Sequence, residues 1–343
     1  MEVRAPGVVK LLGEHAVVYG KLAVAVAISV YAKASVNETE GKSLVIRLPD
    51  VSGYDYSFTE TELRELFSGF KGRQSIRGYA DDHRGIGEPV LPYATIAARL
   101  VAEHRLRPAG LDVCINSEIP LQKGFSSSAA CSAAFTVALL NASKIPLPDE
   151  TVIDIAREGD RVIHKNDGAG SIDVSTSYYG GYVSYSASAG AKREKIDTEI
   201  ELLLVDTGPK RSTAEMVGHV SELYKNDKTR TVEILDQIED CSRSGIDALK
   251  SNDIEGLGRS MFADHALLAR LGVSSSGLDE FVEFARSNGF YGAKLSGGGG
   301  GGAAIGLCAD AAKMGAALHK AGFDARAITA SLEGAKSFYK FIA

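Results

Sequence analysis

The sequence predicts an α+β fold in two lobes. A chain of 343 residues is long for one core, since single hydrophobic cores stop growing at about 250 to 300 residues. Strand-like and helix-like segments are mixed, with strands often adjacent, rather than strictly alternating. No internal repeat of the kind that builds solenoids or propellers is present. Apolar residues make up 45% and charged residues 24%, a balance that supplies ample core material and argues against disorder.

In chain order, residues 8–12 and 22–36 are rich in Val, Ala and Ile and read as strands flanking a turn at 13–20. Residues 37–89 are polar, with a strand at 44–48, a helix at 61–67 and no chemistry that can be assigned. Helical spacing returns at 92–104, and a strand at 111–115 runs on to Pro120. The uncharged stretch 124–143 is long enough to cross a bilayer, but five serines and an asparagine mark it as a buried helix. Beyond it come a strand at 201–205, helices at 212–224, 232–249, 254–271 and 278–287, and strands at 292–295 and 302–307. A helix at 309–321 and a strand at 325–329 close the chain. The small, polar stretch 186–196 marks the boundary, giving lobes 1–190 and 191–343.

Lys plus Arg number 38 against 44 Asp plus Glu, a net charge of −6. That leaves no basic surplus for nucleic acid. Cys114, Cys131, Cys241 and Cys308 are widely spaced and suit reduced thiols in a cytoplasm. Glu2, Arg4 and Lys10 interrupt the first apolar stretch, so no signal peptide and no membrane partner are expected.

Four segments carry chemistry. In Pro120-Leu-Gln-Lys-Gly-Phe-Ser-Ser-Ser-Ala-Ala130 a strand ends and a small-residue turn opens a helix. That arrangement suits an anion, because backbone N–H groups and the helix dipole converge there; an ordinary Ser-capped helix is the alternative. A Walker A loop is excluded, since Val36 stands where Gly41-Lys-Ser43 would need a glycine. The six glycines Gly297 to Gly302, between strand-like pieces, suit close backbone approach to a ligand, or else a flexible turn. Around the turn between Glu158 and Asp173, Asp160, Asp167 and Asp173 offer carboxylates for Mg²⁺ or for a hydroxyl; taken one at a time, a solvated helix face for Asp160 and a helix cap for Asp173 account for them more readily. Gly13-Glu-His-Ala-Val-Val-Tyr-Gly20 combines a polar pair with an apolar triplet.

These segments, in this order, resemble the GHMP kinase superfamily. Ala5-Pro-Gly followed by GEHAVVYG is similar to mevalonate kinases, as are VDTGPKRST at 205–213 and LLARLGVSSSGLDE at 267–280. The resemblance implies a ribosomal S5 domain 2-like amino-terminal lobe, a ferredoxin-like carboxy-terminal lobe, and ATP with Mg²⁺ between them. It implies Asp173 as the catalytic carboxylate acting on the mevalonate C5 hydroxyl, and Asp160 and Ser128 on Mg²⁺. Lys123, Gly124, Phe125, Ser126, Ser127, Ser128 and Ala129 would wrap the ATP phosphates. Glu14, His15, Thr213 and Gly298 match acceptor-side positions, and a homodimer is a family-level expectation.

The chain departs from that pattern in places. Val8 stands where the family usually has the lysine that pairs with the catalytic Asp. Lys10, two residues on, leaves an extended strand on the same face and is expected to take that part. Ser126 replaces a usual glycine, Gly298 a common alanine, and the stretch from Asp160 to Asp173 is lengthened, so Asp167 stands as an alternative to Asp160. A kinase for a phosphorylated mevalonate or a sugar, with Arg73, Arg77 and Arg84 as candidate phosphate contacts, and a non-catalytic nucleotide-binding homologue are the competing readings.

Overall fold

The computed structural model describes residues 1–71, 76–82, 86–120, 124–166, 171–208 and 212–340. Strands β1 (Glu2–Leu12) and β2 (Ala23–Glu38) pair antiparallel along most of their length. Their Val, Ala and Ile side chains are nearly all buried, as expected of strands covered on both faces. Next come β3 (Leu44–Arg47), β4 (Asp55–Phe58), α1 (Glu60–Lys71), α2 (Ile76–Asp82), α3 (Leu91–His104) and β5 (Leu111–Ser117). The central helix α4 (Ser127–Ser143) is followed by α5 (Asp149–His164), α6 (Ser171–Tyr179), β6 (Tyr182–Ser186) and β7 (Gly190–Arg193). These strands form one sheet, β4-β3-β5-β2-β6-β7, with β1 on the other edge of β2.

A second sheet, β11-β8-β10-β9, is built from β8 (Glu201–Asp206), β9 (Gly292–Leu295), β10 (Ala303–Leu307) and β11 (Asp324–Thr329). Its helices are α7 (Thr213–Asn226), α8 (Lys228–Lys250), α9 (Ile254–Arg270), α10 (Ser276–Ser287) and α11 (Ala311–Lys320). Side-chain alternation on β8 serves two cores. Leu202 and Leu204 join the core of the first sheet, whereas Leu203 and Val205 join a cluster with Val220, Ile238, Phe281 and Leu318.

Helix α4 is buried almost throughout, and no helix among the described residues is long and apolar enough to cross a membrane. Its small residues Ala129, Ala130, Ala133 and Ala134, all fully buried, let it lie close to β1 and β2. Some elements differ from the sequence reading. β4, α2 and β7 lack a readable pattern because they are short and largely or partly exposed. β7 lies across the expected boundary at residue 190 and pairs with β6 as a polar edge strand of the first sheet.

Candidate active site

Four element ends converge: the carboxyl end of β1, the amino ends of α4 and α6, and the carboxyl end of α5. Lys10, near the end of β1, donates from Nζ to both carboxylate oxygens of Asp173 at 2.8 and 2.9 Å. Asp173 lies in the first turn of α6. The pleat accounts for the reach of Lys10, since Val8 points to the same face and packs in an apolar cluster with Ala23, Ala25 and Ile172. Burial pushes the Asp173 carboxyl up, but the Lys10 ammonium and the Ser126 hydroxyl outweigh it and hold the group below the usual carboxylate range. Lys10 is the counterpart: burial disfavours its charge, and Asp173 overrides that to raise its pKa.

The turn into α4 is fastened to β1 by the Val8 N–H donating to the Phe125 carbonyl at 3.1 Å. Ser126 donates to Asp173 Oδ1 at 3.0 Å rather than capping its helix. The first backbone N–H groups of α4, which have no intrahelical acceptor, are thus left without a side-chain cap. Ser127 turns inward to Ser117 at 2.9 Å, and Ala129 is fully buried. Ser128 Oγ meets His164 Nε2 at 3.2 Å. Lys123 and Asp167 lie outside the described residues.

Asp160 does not sit on a solvated face. It is 2% exposed, and its Oδ1 has no hydrogen-bond partner among the described residues. His164, one turn later, approaches that oxygen at 3.6 Å, an ion-pair distance, and the Asp160 carboxylate raises the His164 pKa against the effect of burial. A His taken alone reads as structural; its i,i+4 spacing from Asp160 is the signal that joins it to the site.

On the opposite side, His15 Nε2 lies 3.0 Å from the Gly298 carbonyl. A carbonyl only accepts, so Nε2 carries the hydrogen and Nδ1 is bare; burial lowers the His15 pKa and keeps the ring neutral. A Cβ on Gly298 would stand 2.7 Å from Thr213 Oγ1, so these two residues also touch. The glycine run is a shaped loop: Gly297, Gly299, Gly300, Gly301 and Gly302 all have φ between 73° and 112°, conformations that glycine adopts without a side-chain clash. The Gly300 N–H donates to the Val273 carbonyl at 2.7 Å. The run reaches the α4 turn as well, since a Cβ on Gly297 would lie 3.9 Å from the Gly124 carbonyl.

Glu14 is not an exposed acid. It is 1% exposed, and its Oε1 accepts from Lys294, which is fully buried and also lies 3.3 Å from Asp264 Oδ2. The side chain of Glu14 is thus turned to Lys294 rather than to solvent. The neighbouring His265 accepts the Leu295 N–H at Nδ1, 3.3 Å away, and meets Asp279 at Nε2 at 3.2 Å. Lys294, Asp264 and His265 were not singled out from sequence. A readable signal existed: Leu257, Met261, Asp264 and Leu268 share one stripe of α9, where an acid interrupts an apolar face.

Residues 92–181 match the family described as GHMP kinases N terminal domain, and residues 246–324 match GHMP kinases C terminal. The mevalonate kinase of Pyrococcus horikoshii is 32% identical over 304 residues, spanning 85% of this chain and 84% of the relative. The chain belongs to the GHMP kinase family. The fold agrees: the Methanococcus jannaschii mevalonate kinase superposes with a TM-score of 0.78 at 23% identity, covering 97% of this chain and 98% of that one. The L. major mevalonate kinase in complex with R-mevalonate superposes with a TM-score of 0.76 at 26% identity, covering 97% of each chain. The GHMP kinase fold thus accounts for both sheets and for the cluster at the element ends.

Proposed function

We propose that this GHMP kinase transfers the γ-phosphoryl group of ATP to the C5 hydroxyl of mevalonate, making 5-phosphomevalonate in the mevalonate route to isoprenoids. The observation that carries the reading is the Lys10–Asp173 pair, tied through Ser126 to the uncapped first turn of α4. Relatives named mevalonate kinase, aligned over most of the chain, supply the acceptor.

In this reading the N–H groups of the α4 turn and the hydroxyl of Ser128 hold the ATP phosphates. His15, Thr213 and Gly298 line the acceptor side. Asp173 receives the hydroxyl proton. A carboxylate held below its ordinary range is a weak base, so it takes that proton late, once the oxygen has begun to bond to phosphorus. Lys10 keeps Asp173 ionised and steadies the charge that shifts onto the transferring group. A loose transition state of this kind asks the protein mainly for positioning and charge.

The residues present fit Mg²⁺. Asp160 offers a buried oxygen that has no hydrogen-bond partner among the described residues, and Ser128 offers a hydroxyl. Among the described residues no cluster of three or more ligating His, Cys, Asp or Glu side chains occurs, which suits an ion that keeps several waters and takes phosphate oxygens. When bound, Mg²⁺ would neutralise charge on the ATP phosphates. The four free cysteines suit a reducing cytoplasm. A homodimer and a lobe boundary near residue 190 complete the reading.

A phosphorylated acceptor would call for added cations near the cleft. Of the candidates, Arg77 lies on α2, while Arg73 and Arg84 lie outside the described residues. Purified protein with ATP and Mg²⁺ is offered mevalonate, 5-phosphomevalonate, 3-phosphomevalonate, galactose and homoserine, with products identified by phosphorus NMR. Mevalonate alone should give a 5-phosphate; turnover of another acceptor instead overturns the substrate, and ATP binding without any turnover overturns catalysis.

A further inference from the structure

Ser126 occupies an unfavourable backbone conformation. Its φ is 55°, in the left-handed region that costs a residue other than glycine about 1 kcal/mol or more. A serine just before a helix commonly has extended backbone and caps the first turn with its hydroxyl. Here the side chain makes no cap hydrogen bond. Its hydroxyl donates to Asp173 Oδ1 at 3.0 Å instead. Strain is accepted and a cap is forgone for one contact.

That contact makes the two oxygens of Asp173 unequal. Among the described residues, Oδ1 accepts from both Lys10 and Ser126, whereas Oδ2 accepts only from Lys10, at 2.9 Å. The carboxylate is held from two directions, by β1 through Lys10 and by the α4 turn through Ser126. It cannot rotate without breaking one of these contacts, and the oxygen with spare capacity is Oδ2.

We infer that Ser126 is a positioning residue that ties off Oδ1 of Asp173 and so presents Oδ2 to the hydroxyl of the acceptor. The inference rests on the reading of Asp173 as proton acceptor. It joins the α4 turn, where the ATP phosphates would lie, mechanically to the group that handles the acceptor, so nucleotide and acceptor ends are aligned by one side chain.

Ser126→Gly separates this role from a merely structural one, because glycine relieves the strain while removing the hydroxyl. The denaturation midpoint should stay level or rise, and both KM values should remain within about threefold. kcat should fall by roughly tenfold, the scale of one hydrogen bond to a charged group. Ser126→Ala, which keeps the strain and loses the hydroxyl, should show the same loss of kcat at lower stability. A fall in kcat of less than about fivefold in Ser126→Gly overturns the inference, as does a loss confined to KM for ATP or a loss seen only in Ser126→Ala. Asp173→Asn, assayed alongside, separates the two levels. If it keeps turnover, the proton-acceptor reading fails and the inference with it; if it is inactive while Ser126→Gly is not, the inference alone fails.

Discussion

Lys10 and Lys294 both face carboxylates, and their surroundings differ. Lys10 and Asp173 form a pair with side chains 19% and 20% exposed, at the meeting of four element ends. Lys294 lies between Glu14 and Asp264 with side-chain exposures of 0%, 1% and 0%. The first pair keeps access to water and ligand, so its charges can be exchanged with a substrate. The second is sealed, and its charges can serve only one another. In a low-dielectric interior two acids around one base cannot all ionise cheaply. Burial and the nearby Glu14 push Asp264 up to about 8, with Lys294 pulling the other way. The open pair is the one to which we propose chemistry belongs and the closed cluster is buried away from ligand, although both read in sequence as a lysine in a strand.

The comparison breaks first at Lys294. Lys294→Ala leaves two buried acids, one of them ionised, without their cation and should cost roughly 3–5 kcal/mol in chemical denaturation. A cost below about 1 kcal/mol would mean that water reaches the cluster. Lys10→Ala should do the reverse, lowering kcat by about 10²-fold with little change in denaturation midpoint, since a partly solvated pair adds little stability. An unfolded or fully active Lys10→Ala protein would erase the distinction.

A pH series sharpens the contrast. Lys294 and Glu14 act on Asp264, and Asp264 in turn adds to burial in raising the Cys241 thiol on α8. The Asp264 pKa is raised in the folded state, so between about pH 4 and pH 8 the unfolded chain releases a proton that the folded chain retains. Stability therefore falls as pH rises through that window, and below it the group carries no penalty. Asp264→Asn cannot ionise, so it should gain on the parent across the window, by about 1–3 kcal/mol at its upper end. A difference that stays flat with pH contradicts a protonated Asp264. The smallest effect is expected at Gly298→Ala, whose Cβ would press on Thr213. It should raise the acceptor KM about fivefold, the equivalent of roughly 1 kcal/mol, and leave the ATP KM unchanged.

Much of the open site was legible in the sequence and little of the closed one. The period-two pleat of β1 placed Lys10 on the face of Val8, and the structure carries it to Asp173. The glycine run was legible as a loop of close approach, though not its tie to Val273, which needs the fold. The burial of Asp160 was not legible, because local spacing does not say which neighbour covers a helix face. The burial of Glu14 was not legible either, since its partner Lys294 lies 280 positions away on β9. The apolar, small-residue context of Gly292–Leu295 and the acid on the α9 stripe were the available signals for Lys294 and Asp264. β7 went unread because an exposed edge strand carries no apolar alternation.

The central claim is that Asp173, held by Lys10, is the group that meets the acceptor hydroxyl. The direct test is turnover of mevalonate by Asp173→Asn with ATP binding measured by calorimetry on the same sample. The account predicts a loss of kcat of roughly 10²- to 10⁴-fold with ATP affinity largely retained; near-normal formation of 5-phosphomevalonate by the variant would contradict it.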